Sequence, residues 1–186
     1  SGKVNLDDYE LEQWRLMHIG AQPVPQSLIK KWKSVFPNHQ YDTNYGLSES
    51  IGPGCVHLGV ENIHKVGAIG KAGFGWKTRI VDSELRDVEP GEVGELAVHG
   101  PGVMKCYYKQ PDLTAEVIQE EWFNTGDLGM LTVDNEIKIA GRAKDTIVLV
   151  GGENIEPLAI EIALNSTTYI DTAVILGQDQ KYLGAL

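Results

Sequence analysis

The pairing of two short runs constrains this chain more than any other feature. Thr125-Gly126-Asp127-Leu128-Gly129 and Gly141-Arg142-Ala143-Lys144-Asp145 flank apolar stretches at 128–133 and 136–139, with Asp134-Asn135 between them as a turn signal. Folded back at that turn, the segment puts Asp127 and Arg142 at the two ends of one hairpin, on the same rim. A carboxylate offers two acceptor oxygens to a pair of adjacent hydroxyls such as a ribose diol. A guanidinium offers a rigid fork of donors to a phosphate or a further hydroxyl. Facing one cleft, the two make half of a nucleotide site. Thr-Gly-Asp alone is a common turn and Gly-Arg alone a common strand exit, so this reading needs a third element.

Asn44-Tyr45-Gly46-Leu47-Ser48-Glu49 supplies it. Gly46 lets a ligand approach the backbone, and Tyr45 offers a face for a purine. The Ser48 hydroxyl suits a phosphate oxygen, and Glu49 is a hard oxygen ligand suited to magnesium. A short extended run at 40–44 delivers these residues at its end, where open α/β sheets place their ligands.

Two further runs complete an ordered set: Gly94-Glu95-Leu96-Ala97-Val98-His99-Gly100-Pro101-Gly102-Val103-Met104-Lys105 and Gly151-Gly152-Glu153-Asn154-Ile155-Glu156-Pro157. The five runs occur in order, and the resemblance they carry covers essentially the whole chain. They resemble the superfamily of adenylate-forming enzymes, which includes acyl-CoA synthetases, peptide-synthetase adenylation domains and firefly luciferase. The resemblance implies that a carboxylate attacks the α-phosphate of ATP to give an acyl-adenylate and pyrophosphate, after which a thiol, usually that of coenzyme A, takes the acyl group. The first step joins two anions, so magnesium and cationic side chains must supply charge neutralisation.

What the resemblance implies can be carried over residue by residue. Glu49 holds the magnesium, and Ser48, where most members carry Thr, contacts the nucleotide phosphate. Tyr45 stacks on one face of adenine, Gly20-Ala21 pack on the other, and Asn44 bonds the base edge. The usual Gly-Gly-Ala pattern is broken here by Ile19. Asp127 binds the ribose hydroxyls and Arg142 binds ribose or phosphate. Lys144 matches a hinge about which the small lobe swings. Gly151-Gly152 matches a loop lining the pantetheine passage, where a side chain would block the way; the simpler reading is a turn after a strand at 146–150. His57, which follows the Glu49 run closely, is left open as a neighbour of the acyl pocket. Gly73-Phe74-Gly75-Trp76 is read as packing, with a part in shaping the nucleotide pocket as the alternative.

The composition sets outer limits. A net charge of −10 disfavours general attraction to nucleic acid or an anionic membrane, so an anionic substrate must be met by a local site. Cys55 and Cys106 show no zinc-like spacing, which suggests two ordinary thiols in a reducing compartment. No apolar run is long enough to span a bilayer and no leader pattern opens the chain; the cytoplasm is the expected location if the true amino terminus is present.

The expected fold is α/β to α+β: the later part of a large lobe that includes a β-rich, barrel-like subdomain, then the start of a small α+β lobe. Residues 1–66 close the α/β portion, with an amphipathic helix at 25–36. Residues 67–141 form the β-rich subdomain, with strands at 79–81, 94–98, 128–133 and 136–139 and a helix at 112–119. Residues 142–145 are the hinge, and 146–186 the small lobe, with strands at 146–150 and 173–176 and a helix at 157–164. The superfamily's phosphate-cradling loop and its adenylating lysine have no counterpart here, so the chain reads as a fragment that makes no acyl-adenylate alone. The expected parent is an ATP-dependent acyl-CoA ligase, most like the long-chain fatty-acid branch, with a small carboxylic acid, ATP and CoA as its partners. The alternatives are an adenylation domain that loads a carrier protein, and a noncatalytic nucleotide-binding or interaction fragment.

Overall fold

Leu16–Ile19 (β1), Gln26–Val35 (α1) and Gln40–Leu47 (β2) form a βαβ unit in which β1 and β2 pair in parallel, from Leu16 opposite Gln40 to Ile19 opposite Thr43. The structure is a computed structural model that describes residues 5–186. A parallel pair needs a crossover, and the helical spacing of apolar residues in 25–36 provides it. Ile29 is buried against Tyr41 and Leu58 with Trp32 alongside. Leu28 and Val35 each stay 48% exposed, so the buried stripe is narrower than the sequence pattern suggests. Lys33 folds its ammonium onto the Pro37 and His39 carbonyls, placing a cation at the helix C-terminus, where the macrodipole favours it.

After a 3₁₀ turn at Ser48–Ser50 the chain reverses into Gly52–His57 (β3), which pairs antiparallel with β2 and with Lys71–Ala72 (β4). The first sheet therefore runs β1-β2-β3-β4. A second, antiparallel sheet is built from Lys77–Val81 (β5), Gly94–His99 (β6), Ile118–Gln119 (β7), Trp122–Leu131 (β8) and Ile137–Arg142 (β9). Its order is β5-β6-β8-β7, with β9 also on β8. Cys55 and Val56 of the first sheet pack against Ile80, Leu96, Val98, Phe123 and Ile137 of the second. One apolar core thus ties the two sheets together.

The sheets are also joined at their edges. Ile69 donates its amide to the Ile137 carbonyl and Ile137 donates back to Gly70, both at 2.8 Å. Nearby, Glu136 is buried at 1% exposure and accepts a hydrogen bond from Lys65 Nζ at 2.7 Å. That bond comes first among the causes that hold the Lys65 ammonium above its ordinary range. A buried carboxylate needs such a partner.

The helix expected at 112–119 stops earlier: Pro111–Val117 (α2) is helical, and Ile118–Gln119 turn extended to pair with Phe123 and Trp122. β-branched Ile118 fits that edge better than another helical turn. The β7–β8 hairpin closes on Glu120 and Glu121, with φ of 50° and 68°. Both central residues of such a two-residue loop are normally Asn or Gly. Glu121→Gly is expected to raise stability by about 0.5–1 kcal/mol by relieving that strain, read as a higher urea midpoint at unchanged slope.

The carboxyl-terminal segment holds Ile147–Val148 (β10), Asn154–Ile155 (β11), Pro157–Asn165 (α3), Ile175–Leu176 (β12) and Gly184–Ala185 (β13). The strands expected at 146–150 and 173–176 each shrink to two residues, because neither finds a longer partner: β10 pairs with β11 and β12 with β13, two residues each. Pro157 opens α3 at its first turn, where a missing amide costs nothing. Glu161 on α3 accepts from the Ile175 amide and Asn165 from the Ala173 amide, fixing the helix to the following strand.

Candidate functional site

Asp127 and Arg142 are register partners across β8 and β9, as the hairpin spacing implied. The Thr125-Gly126-Asp127 run differs in one respect: it lies inside β8, which begins at Trp122, rather than ahead of the strand. Its three residues make an interruption in the ladder. Thr125 Oγ1 donates to the Leu96 carbonyl (2.7 Å) and accepts from the Asp127 amide (3.1 Å). Gly126 takes φ +73° and gives its amide to Glu95 Oε1. The β6–β8 register shifts here, and a shift of this kind re-aims a side chain. Glycine at 126 is what allows the left-handed backbone.

Asp127 is thereby directed at two partners. Tyr45 donates its hydroxyl to Oδ2 at 2.6 Å and Arg142 donates Nε to Oδ1 at 2.7 Å. The carboxylate is buried, whereas the Arg142 side chain remains 53% exposed, leaving its terminal nitrogens in reach of solvent. Burial, followed by the hydrogen bond to Asp127, pushes the Tyr45 phenol far above its ordinary range, so it stays a neutral donor at every working pH. Three side chains from β2, β8 and β9 converge within hydrogen-bond distance.

Around them stand the other residues singled out by the sequence. β2 runs through Tyr45 and Gly46 to Leu47 rather than ending at 44, so the run is delivered partly in the strand and partly in the Ser48–Ser50 turn. Ser48 is exposed and Glu49 half-buried. Gly20 and Ala21 follow β1, a strand whose four residues carry too little pattern to predict it. A Cβ on Gly20 would lie 2.5 Å from Asn44 Oδ1, so the Gly20 backbone lies close against the Asn44 side chain. Ala21 holds φ +69°, a strained conformation of the kind stored at functional turns. Asn44 is buried and its amide meets the His18 ring. Lys144 is exposed in a 3₁₀ turn at Ala143–Asp145, directly after β9. Gly151 and Gly152 are exposed in the turn between β10 and β11, where Gly152 takes φ +86°.

Tyr107, which no motif flagged, donates its hydroxyl to Glu49 Oε1 at 2.9 Å. Its only sequence signal is its place two residues past the Gly94–Lys105 run. Burial and then this bond to Glu49 raise its phenol above the ordinary range. His57 is exposed on β3. Trp76 proves to be packing: a Cβ at Gly100 would come within 2.3 Å of its ring. Two cavities lie away from these residues. One of about 190 Å³ is lined by Lys65 and Glu136, and one of about 260 Å³ by Arg79 and Trp122.

With that geometry in hand, the likeness to known proteins is decisive. The sequence pattern of the AMP-binding enzyme family matches residues 2–108, and that of the AMP-binding enzyme C-terminal domain matches 144–186. The chain belongs to the AMP-binding enzyme family. It is 42% identical over 154 residues to a chloroplastic long-chain-fatty-acid–[acyl-carrier-protein] ligase of Arabidopsis thaliana, covering 76% of this chain and 21% of that protein. It is 32% identical to a long-chain-fatty-acid–CoA ligase of Salmonella typhimurium, covering 85% of this chain and 28% of the relative. Among solved structures, o-succinylbenzoate CoA synthetase from Bacillus subtilis in complex with its acyl-adenylate intermediate superposes with a TM-score of 0.82 at 31% identity, over 92% of this chain and 35% of that one. The same enzyme has been solved with ATP and magnesium ion. The family member described here thus spans about a fifth to a third of the length of these relatives. Its fold is that of adenylate-forming enzymes, α/β to α+β with a curled antiparallel sheet. Among the described residues no helix is long and apolar enough to cross a membrane.

Proposed function

We propose that this chain is the adenosine-holding segment of an ATP-dependent acid–thiol ligase, which joins a carboxylic acid to a thiol through an acyl-adenylate. The convergence of Tyr45, Asp127 and Arg142 carries this reading. In the proposed site Asp127 accepts from the ribose diol, Arg142 turns its free nitrogens to ribose or phosphate, and Tyr45 forms the shelf for adenine. Gly20-Ala21 and Asn44 line the opposite side, and Gly46 lets the nucleotide approach the backbone. Ser48 meets a phosphate oxygen.

Magnesium fits Glu49 on the chemistry of its surroundings. One carboxylate oxygen is held by Tyr107, and the other has no hydrogen-bond partner among the described residues. No Lys or Arg pairs with it among those residues. A single carboxylate completed by phosphate oxygens and water is how this ion is usually held. When bound, it would supply charge neutralisation for the meeting of two anions.

In the whole enzyme, attack of the acid on the α-phosphate breaks the bond to pyrophosphate. Attack of the thiol on the acyl carbon then expels AMP and gives the thioester. We assign residues 1–66 to the α/β part of the large lobe, 67–141 to its β-rich part, 142–145 to a hinge at Lys144, and 146–186 to the small lobe. The start of the second family match at residue 144 supports that division. Gly151-Gly152 would then line the thiol's passage. A long-chain fatty acid is the proposed substrate class, supported by the names of the Arabidopsis and Salmonella relatives. The 42% identity to a ligase acting on acyl-carrier-protein favours, as a second reading, a carrier-bound thiol in place of CoA. Two free cysteines, one buried and one exposed, suit a reducing compartment, cytoplasm or chloroplast.

The chain itself is expected to bind nucleotide without completing the reaction. Saturating AMP should raise its melting temperature by ordinary linkage, about 2.7 kcal/mol of stabilisation at a hundredfold excess over Kd. No shift with AMP, ATP or CoA would point to a noncatalytic interaction fragment instead. Pyrophosphate release from ATP, magnesium and fatty acids should stay at background.

A further inference from the structure

Glu49 stands on a short 3₁₀ turn, and such a turn does not by itself fix a long side chain. What fixes it comes from the segment between β6 and α2. That segment touches the turn three times. A Cβ on Gly102 would come within 2.8 Å of the Ser50 carbonyl, so the two backbones lie in close contact. The Met104 amide donates to the Glu49 carbonyl at 2.6 Å. Tyr107 reaches the Glu49 carboxylate with its hydroxyl.

Tyr107 is itself held from behind. Its amide donates to Thr114 Oγ1 at 2.9 Å, and that hydroxyl donates to the Gln110 carbonyl. The short helix α2, which otherwise interrupts the β-rich region without a purpose, thereby anchors the phenol. The Trp76 ring fills the space that side chains at Gly100 and Gly102 would take, so the near end of the segment is pinned as well.

We propose that Tyr107 is a positioning residue for the magnesium-binding carboxylate. The assignment rests on Glu49 having the role given to it above. A phenol suits the task for a physical reason: it orients the carboxylate by one hydrogen bond without neutralising it. A lysine in the same place would hold Glu49 equally well and would cancel the charge that attracts the ion. Bonding one oxygen also restricts the rotamers of the glutamate, so less freedom is lost when the second oxygen meets the metal. The next residue, Tyr108, is 81% exposed and serves as the control.

The test uses this chain as wild type and as Tyr107→Phe, Glu49→Gln, the double variant and Tyr108→Phe. Calorimetric titration with AMP, with ATP and with ATP plus magnesium gives the ratio of the two ATP affinities, which isolates the metal's share. Tyr107→Phe should lower that ratio roughly tenfold and leave AMP affinity within about twofold of wild type. Glu49→Gln should abolish the magnesium effect, and the double variant should match Glu49→Gln alone. In the ligand-free chain the Met104 amide should exchange roughly tenfold faster in Tyr107→Phe than in wild type or Tyr108→Phe. An unchanged magnesium ratio overturns the proposal whatever the exchange rate shows, and so does an equal loss of AMP and magnesium–ATP affinity, which would mark a merely structural role. Wild-type chain that binds neither AMP nor ATP would remove the nucleotide site itself, and the assignment of Tyr107 with it.

Discussion

Asp127→Ala is expected to weaken AMP binding by about 1.5–3 kcal/mol, the scale for hydrogen bonds that involve a charged group. Both Tyr45 and Arg142 donate to this carboxylate, so its loss removes more than its own bonds. The phenol and the guanidinium no longer share an acceptor, and each is freed to leave the orientation in which it would meet the nucleotide. Asp127→Asn preserves shape while replacing one acceptor oxygen with a donor, and it should lose a comparable share. Isothermal titration with AMP reads both variants. A dissociation constant equal to that of wild type would take Asp127 out of the site.

The largest effect on stability is expected at Gly70. Gly70→Ala should cost about 3 kcal/mol or more, combining left-handed strain with a clash that cannot relax. Gly70 sits at φ +98°, and an added Cβ would lie 1.8 Å from the His57 carbonyl oxygen and 2.4 Å from Leu58 Cα. All of these are backbone atoms, so no rotamer change relieves them. Gly70 also accepts from the Ile137 amide at 2.8 Å, which with the bond from the Ile69 amide to the Ile137 carbonyl ties the backbone ahead of β4 to the β8–β9 hairpin. Displacing it would loosen the frame that brings Tyr45 on one sheet up to Asp127 and Arg142 on the other. Urea denaturation should show the loss. The nucleotide affinity of whatever folded protein remains should fall as well; a variant as stable as wild type would refute this account of the junction.

Much of this was legible from local chemistry. The Asp134-Asn135 turn and the flanking apolar stretches predict the β8–β9 hairpin, and Asp127 and Arg142 do face each other across it. The helix at 25–36 follows from its periodicity and from Pro37. Glu89-Pro90-Gly91-Glu92 predicts a turn, and the Glu92 amide does bond the Glu89 carbonyl with Gly91 at positive φ. β1 was not legible, because the four residues Leu16-Met17-His18-Ile19 that pair with β2 show no polar–apolar alternation in sequence. The early end of α2 was also hidden, since Ile118 becomes extended only because Phe123 lies opposite.

The sequence by itself determined which groups are available: a diol-binding carboxylate, a guanidinium, an aromatic hydroxyl, a hard oxygen ligand and the glycines that let chain approach chain. Their order along the chain was enough to identify a resemblance, because short polar runs at turns keep their meaning wherever the chain goes. Tertiary structure alone decided that Tyr45 meets Asp127 across 82 residues and that Tyr107 meets Glu49 across 58. Such contacts depend on how two sheets pack over a shared core and on a left-handed glycine that turns one strand. Neither is written in any local pattern, because long-range packing is set by the sum of many weak burial terms and not by the residues that finally touch.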